Sequence, residues 1–571
     1  MNDFTNVAEH LGLRVKLWRG ERMCLVGMDV SHPEDDFVGF SIEVRHPGDA
    51  GFVPLHNRLH FSYSQAPEKA VNGYRNYDST EAPFQKFRWI HFPRDPQGGE
   101  YIYRVTKQHM RRDGTLCKGA SVQVSISLNP VTYHGFLDVG FSRNFASSQA
   151  YCDKYGNNQA VIPSRASEGL RFPKLSGDIY RWLGFEAYDL IFDFLHEAVE
   201  NKDTDLDVFA YDLNEPDIVA LLEKMGARLR AVIDNSGSHA ARSSAESQAA
   251  ARLAASAGRD RVKRMHFRNL QHNKALILKR NGKPYKVLFG STNFSFRGIY
   301  VQANNVLVAR SAEAAELFER VFELAFHSQT GFDRDPISSQ WHLVHAKDKP
   351  RLHFCFSPHS QPNLSLDPLA QAIDQAASSV FFSIAFLYQE RAGPTRKAID
   401  RLMKRNLFSY GISDKHGALH LKKPDSSIGL VDFAYLAAKA PEPFKSEWSG
   451  GGGIHEHHKF VVTDFNLPGA KVFTGSSNLS PSGEKGNGDN LIMIEDSKIA
   501  TAYAIEALRI FDHLHFRSRL QSVAKRARTQ SKQKDTLMLR RPAALSGEAP
   551  WFEVYYRDGA QEKNDRELFS R

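Results

Sequence analysis

The sequence predicts an α/β fold of two related halves, preceded by an all-β, sandwich-like region. Three features predict it: short alternating strands near the N-terminus, alternating helices and strands after residue 180, and one motif that occurs twice. A chain of 571 residues is too long for one ordinary core. The predicted units are a β-sandwich-like accessory domain over 1–150, a first α/β half over 170–335, a second half over 345–520 and a basic C-terminal tail over 521–571.

The N-terminal region consists of short segments in which apolar and polar residues alternate. Examples are "FVGFSIEVRH", "EYIYRVTKQH" and "SVQVSISL", which are separated by turns rich in Gly, Pro and Asp. Alternation with a period of two is typical of antiparallel strands that bury one face. No catalytic constellation is found there. We therefore expect an independent accessory unit for targeting or substrate presentation.

A different rhythm begins near residue 180. "FEAYDLIFDFLHEAVEN" has apolar residues at helical spacing, and it is followed by a strand, "DLDVFAYDL", a helix, "EPDIVALLEKMGA", and a strand, "RLRAVID". The same order restarts after "HAKDKPRLHF" with "DPLAQAIDQAASS" and "VFFSIAFLY". Such alternation is typical of layered α/β domains, so two halves are predicted.

Composition and charge limit the possible classes. No run of 18 apolar residues is present, and the N-terminus carries scattered charges in place of an apolar signal core, which predicts a cytoplasmic protein. The four cysteines are far apart, which argues against a structural zinc site or a disulfide framework. Residues 525–541 hold seven Lys/Arg and one Asp, so this segment could contact nucleic acid or an anionic membrane, or could be only a solvated tail. We expect a monomer.

One motif occurs once in each half. Each copy begins with His-x-Lys and ends, 21 residues after the histidine, with the asparagine of a Gly-Ser-x-Asn sequence. The first copy contains His272, Lys274, Gly290, Ser291 and Asn293, and the second contains His457, Lys459, Gly475, Ser476 and Asn478. A further asparagine follows twelve residues later, Asn305 and Asn490. This gapless agreement indicates an internal duplication that builds one architecture twice.

The residue types suit a phosphodiester. Strand alternation places the histidine and the lysine of each motif on one face. The lysines and asparagines would neutralise and fix the phosphate oxygens, while one histidine attacks phosphorus and the other protonates the leaving oxygen. The glycines let the backbone approach a ligand, and the serine hydroxyls either bind the phosphate or only close the turn.

His-x-Lys followed by Gly-Ser-x-Asn, occurring twice, resembles the phospholipase D superfamily, whose motif is His-x-Lys-x4-Asp-x6-Gly-Ser-x-Asn. The resemblance covers about residues 180–520. It implies two phospholipase D-like α/β halves related by a pseudo-twofold axis, with one active site at their interface. It also implies a phosphohistidine intermediate, no metal and no cofactor.

The two copies differ at two positions of the family pattern. The motif aspartate is present as Asp464 in the second half but is Lys279 in the first. The acidic residue before the second asparagine is Asp489 in the second half but Asn304 in the first. In the family the motif aspartate, here Asp464, is more often a supporting residue than a chemical one, so its replacement by Lys279 weakens the match without excluding activity.

Only one histidine can therefore be held by a carboxylate. A nucleophilic imidazole becomes cationic when it is phosphorylated, so it gains most from such a partner. We predict that Asp489 reaches across the interface to His272, the nucleophile, and that His457 is the leaving-group acid.

Two nearby features have other interpretations. His455 could line the pocket, whereas His458 should face away and be structural; a metal site of His455, His457 and His458 is a real alternative, although adjacent strand residues point in opposite directions. The glycine-rich "WSGGGG" of residues 448–453 is either a plain linker or a lid that cradles phosphate.

The predicted substrate is a phospholipid, whose headgroup would be hydrolysed or exchanged, because the family resemblance favours it. The net charge of +9 and the basic tail favour a metal-independent nuclease. A catalytically dead interaction module is the third alternative. A lipid enzyme should show an exposed apolar rim around its pocket, and a nuclease should show a basic groove.

Overall fold

The computed structural model describes residues 4–62, 76–130, 132–328, 330–415, 422–432, 443–445, 454–529 and 538–571, with the side chains of 432 and 517–529 left aside. Within these residues the N-terminal part is all-β, and two α/β units follow. The predicted fold class is confirmed.

The N-terminal region packs two antiparallel four-stranded sheets around one core. Its strands are β1 (Thr5–His10), β2 (Leu13–Arg19), β3 (Cys24–Val30), β4 (Phe37–Arg45), β5 (Val53–Pro54), β6 (His56–Asn57), β7 (Tyr77–Asp78), β8 (Arg88–His91), β9 (Glu100–Met110) and β10 (Leu116–Ser127). The strand orders are β1-β2-β3-β8 and β10-β9-β4-β5, and β6 pairs with β7. Leu13, Val15 and Leu17 of β2 are fully buried and alternate with half-buried residues, as a strand with one covered face requires.

The first α/β half has a seven-stranded sheet. Its strands are β11 (Leu137–Phe141), β12 (Thr204–Ala210), β13 (Leu229–Asp234), β14 (Val262–Met265), β15 (Ala275–Arg280), β16 (Lys283–Gly290) and β17 (Asn305–Ala309), in the order β11-β17-β16-β15-β12-β13-β14. Its helices are α1 (Ser148–Tyr155), α2 (Ile179–Glu200), α3 (Pro216–Lys224), α4 (Ala245–Ala257), α5 (Phe296–Tyr300) and α6 (Ala312–His327). The central strands β12 and β15 are buried along almost their whole length because helices cover the sheet.

The second half has an eight-stranded sheet. Its strands are β18 (His342–Val344), β19 (Arg351–Ser357), β20 (Ser379–Ile384), β21 (Phe408–Ser413), β22 (Leu430–Asp432), β23 (Lys459–Thr463), β24 (Lys471–Gly475) and β25 (Asp489–Glu495), in the order β18-β19-β25-β24-β23-β20-β21-β22. Its helices are α7 (Leu366–Gln375), α8 (Pro394–Leu402), α9 (Pro481–Gly486) and α10 (Ser497–Thr529). In the part of the chain that the structure describes, no helix combines the length and the apolar character needed to cross a membrane.

The two sheets share one topology, which shows that the first α/β half begins earlier in the chain than predicted. In each sheet the motif strand, β15 or β23, lies between a hairpin partner and a strand that continues into a parallel pair. At the far edge β11 pairs with β17 as β19 pairs with β25. The first strand of half one is therefore β11, which the boundary at residue 150 assigned to the accessory domain. Sequence order misled here because α1 and a long connection separate β11 from its sheet.

The C-terminal segment also differs from the predicted tail. After residues 530–537, which lie outside the described residues, the chain forms α11 (Ala543–Ser546) and α12 (Gln561–Ser570), and α12 packs against β2, β3 and β8. Trp551 and Phe552 belong to the core of the N-terminal sandwich. Trp18 Nε1 donates to the carbonyl of Phe569 over 2.7 Å. Part of the predicted tail thus completes the β region. The β region is not an independent unit, because Trp18 of β2 also belongs to the core of the α/β halves.

The buried ring of Phe569 provides a test of whether the C-terminal segment is part of the folded core. Phe569 is 1% exposed and packs against Phe465 and Phe381 of the second half. We expect Phe569→Ala to lower the free energy of unfolding by about 3–5 kcal/mol, because it leaves a cavity where three units meet. Urea denaturation measures this value. Leu11→Ala is the control, since Leu11 is 75% exposed. A Phe569→Ala variant as stable as the control would show that the segment is a dispensable tail.

Candidate active site

The two motifs meet at the seam between the halves. The backbone N–H of His272 donates to Gly488 of half two over 2.9 Å, and that of His457 donates to Ala303 of half one over 3.1 Å. Each histidine thus lies at the mouth of its strand and is tied to the segment that precedes the second asparagine of the opposite half. This reciprocal arrangement brings the two histidines into one site.

Each imidazole is held by a residue from the other half. His272 Nδ1 lies 2.7 Å from Asp489 Oδ1, and His457 Nδ1 lies 2.8 Å from Asn304 Oδ1. Both acceptors require a proton on Nδ1, so the reactive nitrogen of each ring is Nε2. The predicted crossed contact between Asp489 and His272 is present, and Asn304 is its neutral counterpart.

Asp489, the charged partner of His272, is held in its ionised form. Burial by itself raises the pKa of Asp489, but the His272 imidazole and Lys274 hold it below its ordinary value. The carboxyl also accepts from the Ser476 hydroxyl over 2.8 Å and from Asn487 over 3.2 Å. Asp489 is therefore an ionised group that can stabilise a cationic His272.

The serines and glycines of the motifs are structural. Ser291 Oγ donates to Asn304 and Ser476 Oγ donates to Asp489, each over 2.8 Å, and both hydroxyls are fully buried. They orient the groups that hold the histidines, which differs from the predicted phosphate contact and fits the alternative of closing the turn.

Gly290 and Gly475 have φ values of 146° and 139°, and a Cβ on either would lie 2.5 Å from a carbonyl oxygen of the next strand. Glycine is needed there for the close strand approach, whereas the sequence prediction gave it a role in substrate binding.

The two lysines are buried, and each is bonded to the backbone of its own motif. Lys274 Nζ donates to the carbonyl of His272 over 2.5 Å, and Lys459 Nζ donates to that of His457 over 2.7 Å. Burial lowers the pKa of Lys274 to about 8, and burial followed by repulsion from Lys274 lowers the pKa of Lys459 well below its ordinary value. Two buried cations are costly unless an anion lies between them, so this arrangement favours an anionic ligand.

The histidines lie in the same electrostatic environment. Burial and then the charge of Lys274 lower the pKa of His272, while Asp489 acts in the opposite direction. Burial, then Lys459 and Lys274, lower the pKa of His457 well below its ordinary value. Without an anion both imidazoles are neutral, which leaves His272 Nε2 free to act as a nucleophile.

The first asparagines keep unused hydrogen-bonding capacity. Asn293 Nδ2 donates to Asp212 over 2.6 Å. In the described part of the chain the side-chain oxygens of Asn293 and Asn478 are buried without a partner. These two amides therefore retain hydrogen-bonding groups that a ligand could use.

The second asparagines bind the halves together. Asn305 Nδ2 donates to Thr474 over 2.9 Å, and Asn490 Nδ2 donates to Asn273 over 2.8 Å. Both bonds cross the seam, so Asn305 and Asn490 support the site by holding the two halves together.

A comparison with known protein families agrees with the geometry of the site. Residues 194–325 match the family model described as "Cardiolipin synthase, PLD-like domain". The chain carries a phospholipase D-like domain. The recognition of the phospholipase D superfamily from the two motifs is thereby confirmed in half one.

Several solved structures are similar to the phospholipase D-like chain at low identity. Phosphatidylserine synthase from Haemophilus influenzae Rd KW20 is 12% identical over 66% of this chain and 90% of that chain, with a TM-score of 0.39. Nuc from Salmonella typhimurium, a phospholipase D family member, is 22% identical over 24% and 86%, with a TM-score of 0.19. Yeast tyrosyl-DNA phosphodiesterase is 13% identical over 52% and 84%, with a TM-score of 0.27. The search of curated proteins finds no match.

The motif aspartate of the phospholipase D-like halves lies far from the chemistry. Asp464 Oδ1 accepts from the backbone N–H groups of Ser378 and Ser379 over 2.7 and 3.1 Å, at the start of β20. It is five residues from Lys459, roughly 16 Å along a strand. In half one Lys279 instead pairs with Asp207 over 2.6 Å. Asp464 supports the strand end, and its replacement by Lys279 leaves the histidine site unchanged.

The neighbouring histidines do not form a metal site. The ring nitrogen of His455 contacts the carbonyl of Phe444, and His458 Nε2 lies 3.4 Å from Glu506 Oε1. His457 turns to Asn304, so the three rings have separate partners. His458 is structural, as predicted, whereas His455, which could have lined the pocket, is buried against Phe444. The "WSGGGG" segment lies outside the described residues.

Sequence reasoning missed the groups that surround the phospholipase D-like site. The ring of Tyr211 lies 4.8 Å from that of His272, and Phe386 lies 6.2 Å from His457. Asp212 follows Tyr211, and His239 lies 3.1 Å from Asp212. Tyr211, Asp212 and Phe386 follow the ends of β12 and β20, the strands next to the motif strands. That position was the available signal, because side chains at the ends of adjacent strands gather at one edge of a sheet.

Proposed function

We propose that this protein is a phosphodiesterase that acts through a phosphohistidine on His272, with His457 as the leaving-group acid. The observation that carries the proposal is the unequal support of the two histidines, Asp489 at His272 and Asn304 at His457. A carboxylate stabilises the ring that becomes cationic when it is phosphorylated. Lys274 and Lys459 would clamp the phosphate oxygens.

The chemistry has two steps. The lone pair of His272 Nε2 forms a bond to phosphorus while the bond from phosphorus to the leaving oxygen breaks, and His457 gives its proton to that oxygen. The phosphate between the lysines would supply the negative charge that His457 needs to hold this proton. Water then loses a proton to His457 and attacks phosphorus, which releases His272; an alcohol in place of water gives transfer.

For the substrate, a basic cleft beside the seam favours nucleic acid over phospholipid. A cavity of about 580 Å³ has four basic side chains and one acidic one in its lining, together with one amide and four apolar residues: Arg264, His266, Arg268, Lys485, Asp333, Asn235, Met265, Phe267, Phe332 and Pro358. It adjoins the segments that lead into His272 and Asp489, since Asn269 donates to Gly486 over 2.8 Å. A strand of phosphates binds to such a surface through its charge.

Exposed apolar side chains give a phospholipid no comparable surface. In the described part of the chain the large ones are scattered and do not line this cleft: Val7, Leu11, Val53, Leu175, Leu343, Met538 and Leu545. A phospholipid headgroup is the second candidate, which the family favours. Monomeric state, cytoplasmic location and a contact of residues 525–541 with nucleic acid or an anionic membrane stay predictions.

The function is tested by offering the purified protein single-stranded DNA and phosphatidylcholine vesicles separately, each in EDTA. We expect cleavage of the DNA without added metal, because two lysines supply the cationic clamp that a metal would otherwise provide. Released nucleotides and released choline are measured. Cleavage of the lipid alone would reverse the order of substrates. Activity that disappears in EDTA and returns with zinc or magnesium would contradict the proposed mechanism.

The lysine clamp predicts the pH dependence of the reaction. Burial lowers the pKa of Lys274 to about 8, and a lysine is cationic only below its pKa. We therefore expect kcat/KM to fall as the pH rises through about 8, since the free enzyme then loses a positive charge that binds the phosphate. In Lys274→Arg the guanidinium stays charged, so the fall at this pH should be absent even if activity is lower overall. A profile in which the two proteins fall together would assign the loss to another group.

A further inference from the structure

A chain of hydrogen bonds in half one joins the two ends of the first motif. Asp234, at the end of β13, accepts from the backbone N–H of Gln271 over 2.8 Å. His239 Nδ1 lies 2.8 Å from Asp234 Oδ2, and His239 Nε2 lies 3.1 Å from Asp212 Oδ1. Asn293 Nδ2 donates to Asp212 Oδ2 over 2.6 Å. The backbone before His272 is thus connected to the motif asparagine through side chains that lie outside the motif.

His239 must be doubly protonated to form this bridge. Carboxylates only accept hydrogen bonds, so both ring nitrogens have to donate. Burial lowers the pKa of His239, but the bonds to Asp212 and Asp234 outweigh it and raise the pKa to about 10. Asp212, His239 and Glu246 could also surround a metal ion. The imidazolium supplies the positive charge of that cluster instead.

Asp212 determines which way the Asn293 amide faces. An amide side chain presents a donor side and an acceptor side, and a carboxylate accepts only from the donor side. One N–H of Asn293 therefore points to Asp212, and the second N–H of the same nitrogen is left for another acceptor.

The second half is built differently. Asp414 directly follows β21, and its position corresponds to that of Asp234, the last residue of β13. Its carboxylate accepts from the backbone N–H groups of His455 and Glu456 over 2.9 and 3.1 Å. The strand next to the motif strand is followed there by the aromatic Phe386, whose ring faces His457. A carboxylate that orients the motif amide is thus seen at Asn293 of half one.

We propose that Asp212 and His239 are positioning residues that hold the Asn293 amide with its N–H toward the substrate phosphate and fix it relative to His272. This inference rests on the proposed function, because it assumes that a phosphate lies between the motifs. Asp212 and His239 act through Asn293 and the backbone at Gln271. They make half one the side on which a phosphate oxygen meets a preoriented donor.

The test compares Asp212→Asn and His239→Gln with a matched control. Asp212→Asn keeps the size of the side chain but offers both a donor and an acceptor, so the Asn293 amide can turn over. His239→Gln removes the double donor. His109→Gln is the control, because the side chain of His109 is 13% exposed against 12% for His239 and also pairs with an aspartate, Asp36, over 2.8 Å.

Three quantities are measured for each protein: the affinity for inorganic phosphate by calorimetry, kcat and KM on bis(p-nitrophenyl) phosphate, and the melting temperature. We expect both site variants to bind phosphate about tenfold more weakly and to lose about tenfold to a hundredfold in kcat, with the control within about twofold of the wild type. A purely structural role would lower the melting temperature of a site variant and leave the phosphate affinity of its folded fraction unchanged.

The outcomes separate this inference from the proposed function. Folded site variants with wild-type phosphate affinity and kcat would overturn the positioning role. A wild type that binds phosphate but turns over no diester would refute the proposed function. The positioning role of Asp212 and His239 would then be tested by the phosphate affinities of the variants alone. If His239→Gln does not fold, the isosteric Asp212→Asn decides. A wild type that binds no phosphate overturns the inference.

Discussion

Replacing either His272 or His457 by asparagine should abolish turnover, and the double variant should be hardly worse than either single variant. We expect each single substitution to lower kcat by about 10⁴-fold or more, because nucleophile and acid serve the same step and neither is useful alone. The two rings meet at the seam and are each fixed through Nδ1, which leaves Nε2 as the reactive atom in both. Single-turnover kinetics on the preferred phosphodiester provides the measurement.

The order of the two roles is read from the trapped intermediate. Rapid quenching during turnover, followed by peptide mapping, should place the phosphate on the peptide that contains His272. His458, which is buried against Glu506 over 3.4 Å, provides the control: His458→Asn should keep the intermediate on His272. Phosphate on the His457 peptide would reverse the assignment. Turnover without a phosphohistidine on either peptide would argue for direct attack by water.

Exchanging the two partner residues should exchange the roles of the histidines. Asp489→Asn leaves His272 without a charged partner, and we expect kcat to fall by about a thousandfold or more, as when a catalytic histidine loses its orienting carboxylate. Asn304→Asp places a carboxylate against His457 in the same geometry. In the double variant the phosphate should then be trapped on His457 as well as, or in place of, His272. Quenched-flow mapping of the phosphopeptides measures the shift.

The Asn304→Asp substitution is expected to destabilise the fold, and this effect is measured separately. The amide of Asn304 donates to the carbonyl of Gly298 over 2.8 Å, and an aspartate there would face that carbonyl without a proton. Melting temperatures of both single variants show how much of any loss comes from folding. If the double variant is folded and still phosphorylates only His272, the carboxylate does not select the nucleophile.

The sequence by itself determined the motifs and the general architecture. Chain spacing places His272 beside Lys274 and His457 beside Lys459, and strand alternation puts each pair on one face. Because the motif is duplicated, the two copies could be compared residue by residue. The difference between Asp489 and Asn304 then predicted the crossed contact with His272, which is present. These inferences depend on local geometry, which a sequence encodes directly.

Only the tertiary structure decided which distant groups complete the site and the fold. Asp212 and His239 stand alone in the sequence, yet Asp212 meets both His239 and Asn293 because β12, β13 and β16 lie in one sheet. Strand β11 joins half one across a long connection, so no local pattern reveals it. The motif serines could bind either a ligand or their own chain, and in the structure their hydroxyls donate to Asn304 and Asp489. Such partners follow from strand order and packing over long chain separations, and a single residue carries no signal of the neighbour that folding brings to it.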